Sequence, residues 1–303
     1  MLIFSSRNPL LIVDREHRII CAFLGTPEDP DWPSVVARAG EALKQAREEG
    51  LSVGAFAAAD KCHRRGKFLS LAGGLSHGGG QKKPGMIVLS RHQRRLFQNL
   101  LKNKDVRRIC GFQSSGFRTF GPKMFKQYVL ALKPLFEHLP ELEHIFTNSV
   151  YPAITFNLGP DSVTFEHLDF NNNPFGWCGI TSAGDFDAKR GAHIHLKQLK
   201  LVVEFPSGAS TLIPSAVVDH GNTPLGSGET RYSITQYAAG GLFRFVQYGM
   251  KTAKELMAQE EGAGMKNMVD GAPGERAQWG VDLFSKEDEL AADHAAVFGD
   301  MHF

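Results

Sequence analysis

Two histidines, an aspartate, an arginine and a serine are the residues whose types and spacing could do chemistry in this sequence. His167 and Asp169 stand two apart in Val163-Thr164-Phe165-Glu166-His167-Leu168-Asp169, which alternates apolar and polar residues. Such alternation predicts a half-buried strand with His167 and Asp169 on one face. His220 follows in a second β-like run, and Arg231 and Ser233 come shortly after it. Two imidazoles and one carboxylate on one side of an iron leave coordination positions open, as in non-haem Fe(II) sites. A dicarboxylate cosubstrate such as 2-oxoglutarate would then need a buried, always-charged, bidentate partner for its far carboxylate. Arg231 suits that task better than a lysine would. Ser233 shares its strand face and can add a hydroxyl donor.

The pattern has competitors. A lone His-x-Asp is usually an ordinary pair, and only the later His and Arg-x-Ser give it weight. His193 and His195 are also two apart, but no carboxylate accompanies them, and they are assigned to structure. His63, His77 and His92 read as surface groups. No serine sits in a nucleophile elbow.

A β scaffold must position these residues. Strand-like runs occur at 154–158, 163–169, 177–182, 192–196, 200–205, 211–213, 216–220, 232–237 and 242–246. Their number and spacing predict a jelly roll or barrel, not βαβ units. Ahead of them lie two strand-like runs at 10–13 and 19–24, joined by a turn at 14–18. A helix follows, capped by Asp31, carrying Pro33 in its first turn and ended by Gly50. Ser90 caps a basic helix over 90–103 that buries Leu96, Phe97, Leu100 and Leu101. Pro122 opens another over 121–139, with Phe125, Tyr128, Val129, Leu132, Phe136 and Leu139 as its apolar stripe. Pro134 is expected to kink or split it. Residues 78–85, Gly-Gly-Gly-Gln-Lys-Lys-Pro-Gly, form a flexible loop without the Gly-Lys-Ser/Thr ending of a P-loop. A nucleic-acid contact and an exposed hairpin fit that loop equally. The acidic residues after 250 contain few large apolar groups and predict a partly ordered tail.

The 303 residues, 42% apolar, can bury a sizeable core. They read as one α+β domain: a helical, basic part over 1–144, a jelly-roll core over 145–250 and an acidic extension over 251–303. Leu2-Ile3-Phe4 is too short for a signal-peptide core, and no apolar run approaches a membrane span. Cys21, Cys62, Cys110 and Cys178 are scattered, which argues against a zinc ribbon or disulfide framework and suits a reducing compartment. Charge is lopsided within a net +2. Residues 61–126 hold sixteen Lys/Arg and one acidic residue, Asp105, whereas the rest hold eighteen Lys/Arg and thirty-one Asp/Glu. The block predicts a polyanion-binding face. Arg91, Arg94 and Arg95 on its helix, and Gln81, Lys82 and Lys83 in its loop, are candidate contacts.

His167-Leu168-Asp169, Asn171-Asn172, Gly176-Trp177-Cys178-Gly179-Ile180-Thr181, Leu212-Ile213-Pro214-Ser215-Ala216, His220-Gly221-Asn222-Thr223-Pro224 and Gly228-Glu229-Thr230-Arg231-Tyr232-Ser233-Ile234-Thr235-Gln236-Tyr237 together resemble fungal members of the TET/JBP family. The resemblance spans about residues 60–248. It implies a double-stranded β-helix flanked by N-terminal helices, using Fe(II), 2-oxoglutarate and O2. It further implies a duplex DNA partner carrying methylated bases, a flipped base, a monomeric enzyme without membrane contact, and a nuclear location. Asn172 occupies the place of a base-reading polar residue. Ala239 stands where many members carry a histidine against 5-methylcytosine, which leaves N6-methyladenine open as substrate. On 5-methylcytosine the products would be hydroxymethyl, formyl and carboxyl forms; on N6-methyladenine, the demethylated base. Two other readings share parts of the pattern: an AlkB-like nucleic-acid demethylase, and a catalytically inactive DNA-binding jelly roll. Arg118 is a second candidate for the cosubstrate arginine.

Overall fold

The computed structural model describes residues 8–272 and 274–299. Leu2-Ile3-Phe4 lies outside the described residues. In chain order the elements are β1 (Leu10–Val13), β2 (Ile19–Gly25), α1 (Trp32–Ser52), α2 (Ala58–Lys61), β3 (Ser70–Ser76), β4 (Gly85–Met86), α3 (Arg91–Lys102), α4 (Lys104–Phe120) and α5 (Pro122–His138). Then come β5 (Ala153–Asn157), β6 (Cys178–Asp185), β7 (Ile194–Leu196), β8 (Leu201–Val203), β9 (Ser210–Ile213), β10 (His220–Asn222) and β11 (Thr230–Tyr237). The chain continues through α6 (Gly240–Gln247), α7 (Ala253–Met257), α8 (Gly262–Asp270), α9 (Glu275–Asp282) and α10 (Leu290–Phe298).

A large antiparallel sheet runs β1-β2-β9-β6-β11-β5-β3-β4, and a small one runs β10-β7-β8. Strand periodicity sorts their residues into layers. On β11, Tyr232 and Ile234 pack with Leu43, Leu96, Phe97 and Ile109 of the helices. Their neighbours Arg231, Ser233 and Thr235 face a pocket on the other side of the sheet. On β2 and β9, Cys21, Phe23 and Ile213 meet Ile194, Leu196 and Val203 of the small sheet. The helices thus cover one face of the large sheet and the small sheet covers the other: a jelly roll flanked by helices. Strands β1 to β4 come from residues before 145, so the basic N-terminal part is woven into the core sheet.

A buried polar seam fixes α4 on the sheet. The fully buried Gln113 amide donates to Thr181 Oγ1 at 2.7 Å and to the Ile234 carbonyl at 3.1 Å. Gln236 donates to Gln113 Oε1 at 2.8 Å and to the Cys110 carbonyl at 3.0 Å. These bonds satisfy groups whose burial would otherwise be costly.

The structure corrects several sequence expectations. Residues 163–169 are extended but form no ladder. Their backbone bonds are divided among three segments: Phe165 N to Arg65 O, Asp169 N to Ser215 O, and His167 and Thr164 O to His220 and Asn222 N of β10. Of the run 216–220, residues 216–219 turn back rather than form a strand, because Val217 and Val218 N–H groups bond to the Pro214 carbonyl, and β10 begins only at His220. Residues 242–246 belong to helix α6, whose Leu242, Phe243 and Phe245 are buried; a short apolar run cannot distinguish buried helix from strand by itself. Pro134 lies inside α5 without splitting it, since Leu130, whose carbonyl loses its helical partner, is on the exposed face. On that helix Val129 is exposed, while Met124 and Leu135 take fully buried positions. Helix α4 went unread because Gly111, Gln113, Ser114, Ser115 and Gly116 interrupt its apolar signal.

The acidic tail is also more ordered than its composition implied. Phe284 is buried with its ring centroid 6.2 Å from that of Trp177, and Ile19 N–H bonds the Ser285 carbonyl. Lys123 pairs with Asp293 at 3.2 Å, joining α10 to α5. A Phe284→Ala substitution should therefore lower unfolding free energy by about 3 kcal/mol in a urea titration. An unchanged midpoint would show that the tail contributes nothing to the fold.

Candidate metal centre

His167 and Asp169 come from the extended segment, and His220 opens β10. An isolated backbone bridge joins the two histidines: each N–H bonds the other's carbonyl at 3.0 Å. Gly221 permits this approach, because a Cβ there would lie 2.6 Å from the His195 ring and 3.0 Å from the Thr164 carbonyl. The ligating atoms of His167, Asp169 and His220 all lie within 4.8 Å of one another. His167 Nε2 is 3.7 Å from Asp169 Oδ1, and His220 Nε2 is 3.8 Å from Asp169 Oδ2.

The backbone sets both imidazole tautomers. His167 Nδ1 lies 2.7 Å from the Phe165 carbonyl, and His220 Nδ1 lies 2.9 Å from the Val218 carbonyl. A carbonyl only accepts, so each Nδ1 carries the proton and each Nε2 presents a lone pair toward Asp169. Burial pulls His167 down to about 4, aided by the neighbouring His220, and pulls His220 below its ordinary range. Both rings are therefore neutral at pH 7, the form a metal requires. Two lone pairs and a carboxylate facing one point fit a divalent ion such as Fe(II).

Asp169 is held from outside as well. Arg64 Nη1 donates to the Leu168 carbonyl at 2.8 Å, and its Nη2 donates to Asp169 Oδ1 at 3.1 Å. The Asp169 N–H bonds Ser215 O at 2.9 Å. This clamp replaces the strand ladder that the segment lacks.

Arg231 is 2% exposed and lines the same pocket. Its Nη1 donates to the Ser162 carbonyl at 2.5 Å, and Nε has no partner. Among the described residues it forms no ion pair within 4 Å; Phe205 lies 5.8 Å from its guanidinium, and the charge of Asp161, on the segment bridged to Arg231, favours its charged form without contacting it. Burial lowers Arg231 to about 10, so it stays charged at pH 7. Asn157 Nδ2 donates to Ser233 Oγ at 2.7 Å, while the buried Asn157 Oδ1 has no partner. A buried cation whose Nε donor has no partner fits an anionic occupant at such depth. The pocket has a volume of about 30 Å³, roughly the share of one water in the liquid.

The remaining candidates fare unevenly. Asn172 is turned inward, donating to Ser215 Oγ at 3.1 Å and Cys178 Sγ at 3.2 Å, and does not line the pocket. Gln81 bonds Ser76 within the β3–β4 hairpin, and Lys83 pairs with Glu141 at 2.7 Å, while Lys82 lies in the same exposed turn. The basic block is partly neutralised in space: Arg95 pairs with Glu49 and Arg108 with Asp29. Arg91 and Arg94 are exposed on α3, as is His92. His63 and His77 are half-buried against Phe68 and Phe245, because their rings complete apolar packing there. His193 bonds Thr223 Oγ1, and His195 packs beside Gly221. Arg118 lies in a separate groove between α4 and α5. Sequence reading missed Arg64, Arg65, Asn157 and Thr235 as site residues; the first two were visible only as part of the basic count, and the others only as alternate positions of two strands.

No family model matches this chain, and no curated protein matches it. Solved structures do. "NgTET1 in complex with 5mC DNA" aligns with a TM-score of 0.49 and 13% identity over 76% of each chain. A 2OG-Fe(II) oxygenase family oxidoreductase from Burkholderia pseudomallei gives 0.35 and 15% over 70% of this chain and 93% of that one. AviO1 from Streptomyces viridochromogenes gives 0.34 and 14% over 74% and 91%. None reaches 0.5, so the chemistry of this chain stands on its own residues.

The Arg64 clamp has a measurable consequence. Arg64→Met should weaken Mn(II) binding about tenfold or more in a calorimetric titration, because partners that orient a metal ligand typically matter on that scale. Equal affinity would show that Asp169 needs no clamp.

Proposed function

We propose that this chain is an Fe(II)- and 2-oxoglutarate-dependent oxygenase that oxidises the methyl group of a methylated base in DNA. The observation that carries the reading is a buried, charged arginine without a direct ion pair, in the same pocket as two tautomer-locked histidines and an aspartate. His167, Asp169 and His220 would hold the iron through Nε2, a carboxylate oxygen and Nε2. Arg231 would take the far carboxylate of 2-oxoglutarate, its free Nε and Nη2 forming the fork that a carboxylate fits. Ser233 Oγ accepts from Asn157, so its own proton is available to the same carboxylate. With O2 and 2-oxoglutarate, bound Fe(II) supplies oxidation of a methyl C–H to a hydroxymethyl group, giving succinate and CO2.

The protein's own part is binding, orientation and exclusion of water. Phe205 and Ile194 border the inter-sheet space and keep it apolar beyond the charged groups. The half-buried Arg65 lines the same small pocket and adds a second positive charge for a dicarboxylate. A base in a duplex would have to leave the stack to bring its methyl group to this depth. Arg64 and Arg65 place part of the basic block beside the pocket, which supports a polyanionic substrate. Ala239, where many members of the resembled family carry a histidine, leaves N6-methyladenine open as a substrate beside 5-methylcytosine.

Mass spectrometry of nucleosides after incubating methylated duplexes with protein, Fe(II), 2-oxoglutarate and air tests the substrate. The expected outcomes are hydroxymethylcytosine from 5-methylcytosine, and adenine with formaldehyde from N6-methyladenine. Succinate production with neither base altered would overturn the DNA-base reading. Arg231→Lys keeps the charge but loses the fork, so the KM for 2-oxoglutarate should rise at least tenfold while Mn(II) affinity holds. An unchanged KM would transfer that role to another residue.

A further inference from the structure

Phe170 follows Asp169 directly and is 66% exposed. Its ring is nonetheless held. The Arg64 guanidinium carbon lies 5.2 Å from the ring centroid, and that guanidinium is anchored on the Leu168 carbonyl and the Asp169 carboxylate. One side of the ring is therefore backed by a fixed planar cation, and the rest faces water. Phe165, 52% exposed, flanks the same corner, and its N–H is bonded to Arg65 O. The segment that carries His167 and Asp169 thus exposes two aromatic residues, Phe170 beneath Arg64 and Phe165 tied through its backbone to Arg65.

Water alone gives no reason to hold an aromatic ring in this manner. An aromatic face beside guanidinium groups is the pairing on which the bases of a nucleic-acid strand stack while their phosphates meet the cations. An apolar peptide would prefer a patch not broken by two arginines. The β3–β4 hairpin is less suited to meet the bases, because Gln81 is engaged with Ser76 and Lys83 with Glu141.

We propose that Phe170, backed by Arg64, is a stacking platform for a nucleobase adjacent to the one being oxidised. This rests on the nucleic-acid reading above and extends it to a residue outside the metal and cosubstrate set. The test uses methylated DNA oligonucleotides, single- and double-stranded, with 2-aminopurine beside the methylated base. They are titrated with the full chain in the presence of Mn(II) and 2-oxoglutarate. Wild type should bind and quench the fluorophore. Phe170→Ala should bind about tenfold more weakly and lose the quenching, whereas Phe170→Trp should retain both. Succinate formation without DNA should be the same in all three proteins, showing an intact metal centre. Binding and quenching by Phe170→Ala equal to wild type would overturn the platform and leave the nucleic-acid reading standing. Failure of wild type to bind any of these oligonucleotides would overturn both.

Discussion

A buried guanidinium without a direct ion pair is the constraint around which this site is built. Arg231 sits on a central strand of the large sheet, almost wholly removed from water, with a backbone carbonyl as its main partner. Isolated buried charge is costly, and its cost is relieved by an anion of matching geometry. The strands on either side of β11 carry no acid into the pocket; β5 contributes Asn157 and β6 contributes Ile180. Period-two alternation places Ser233 and Thr235 beside Arg231 while Tyr232 and Ile234 anchor the strand to the helices. The same alternation that builds the core therefore aims the charge.

The second half of the site depends on backbone carbonyls. Phe165 O and Val218 O each take an Nδ1 proton from the histidine two residues on. Rotation and tautomer are fixed together, so both lone pairs face the Asp169 carboxylate before any ion arrives. Such preorganisation reduces what binding must order. Arg64 extends it outward, linking the metal-facing carboxylate to the surface ring of Phe170.

Much of this was legible from residue types. The His-x-Asp, the distant His and the Arg-x-Ser fall together in space, His220 on β10 and Arg231 and Ser233 on β11, and the jelly roll, both N-terminal strands and three helices appear near their expected positions. What failed has local causes. The 163–169 segment alternates like a strand, but its hydrogen bonds are scattered among Arg65, Ser215 and His220. Helix α6 reads as strand because it is short and almost wholly apolar. Asn172 is expected from the sequence to read a base, yet Ser215 and Cys178 capture its amide. The charge block ran true in sequence but spreads over several elements and meets acids from α1 and elsewhere. Side-chain capture and ion pairing across elements are tertiary facts that no linear pattern carries.

The central claim is that one pocket binds both metal and 2-oxo acid. Anaerobic titration of the protein with Fe(II) and then 2-oxoglutarate, followed by visible absorption, tests it most directly, because an iron chelated by a 2-oxo acid absorbs in the visible. Wild type should develop the band at one equivalent of each, and His220→Ala should not. Absence of the band in folded wild-type protein at saturating Fe(II) and 2-oxoglutarate would contradict the account.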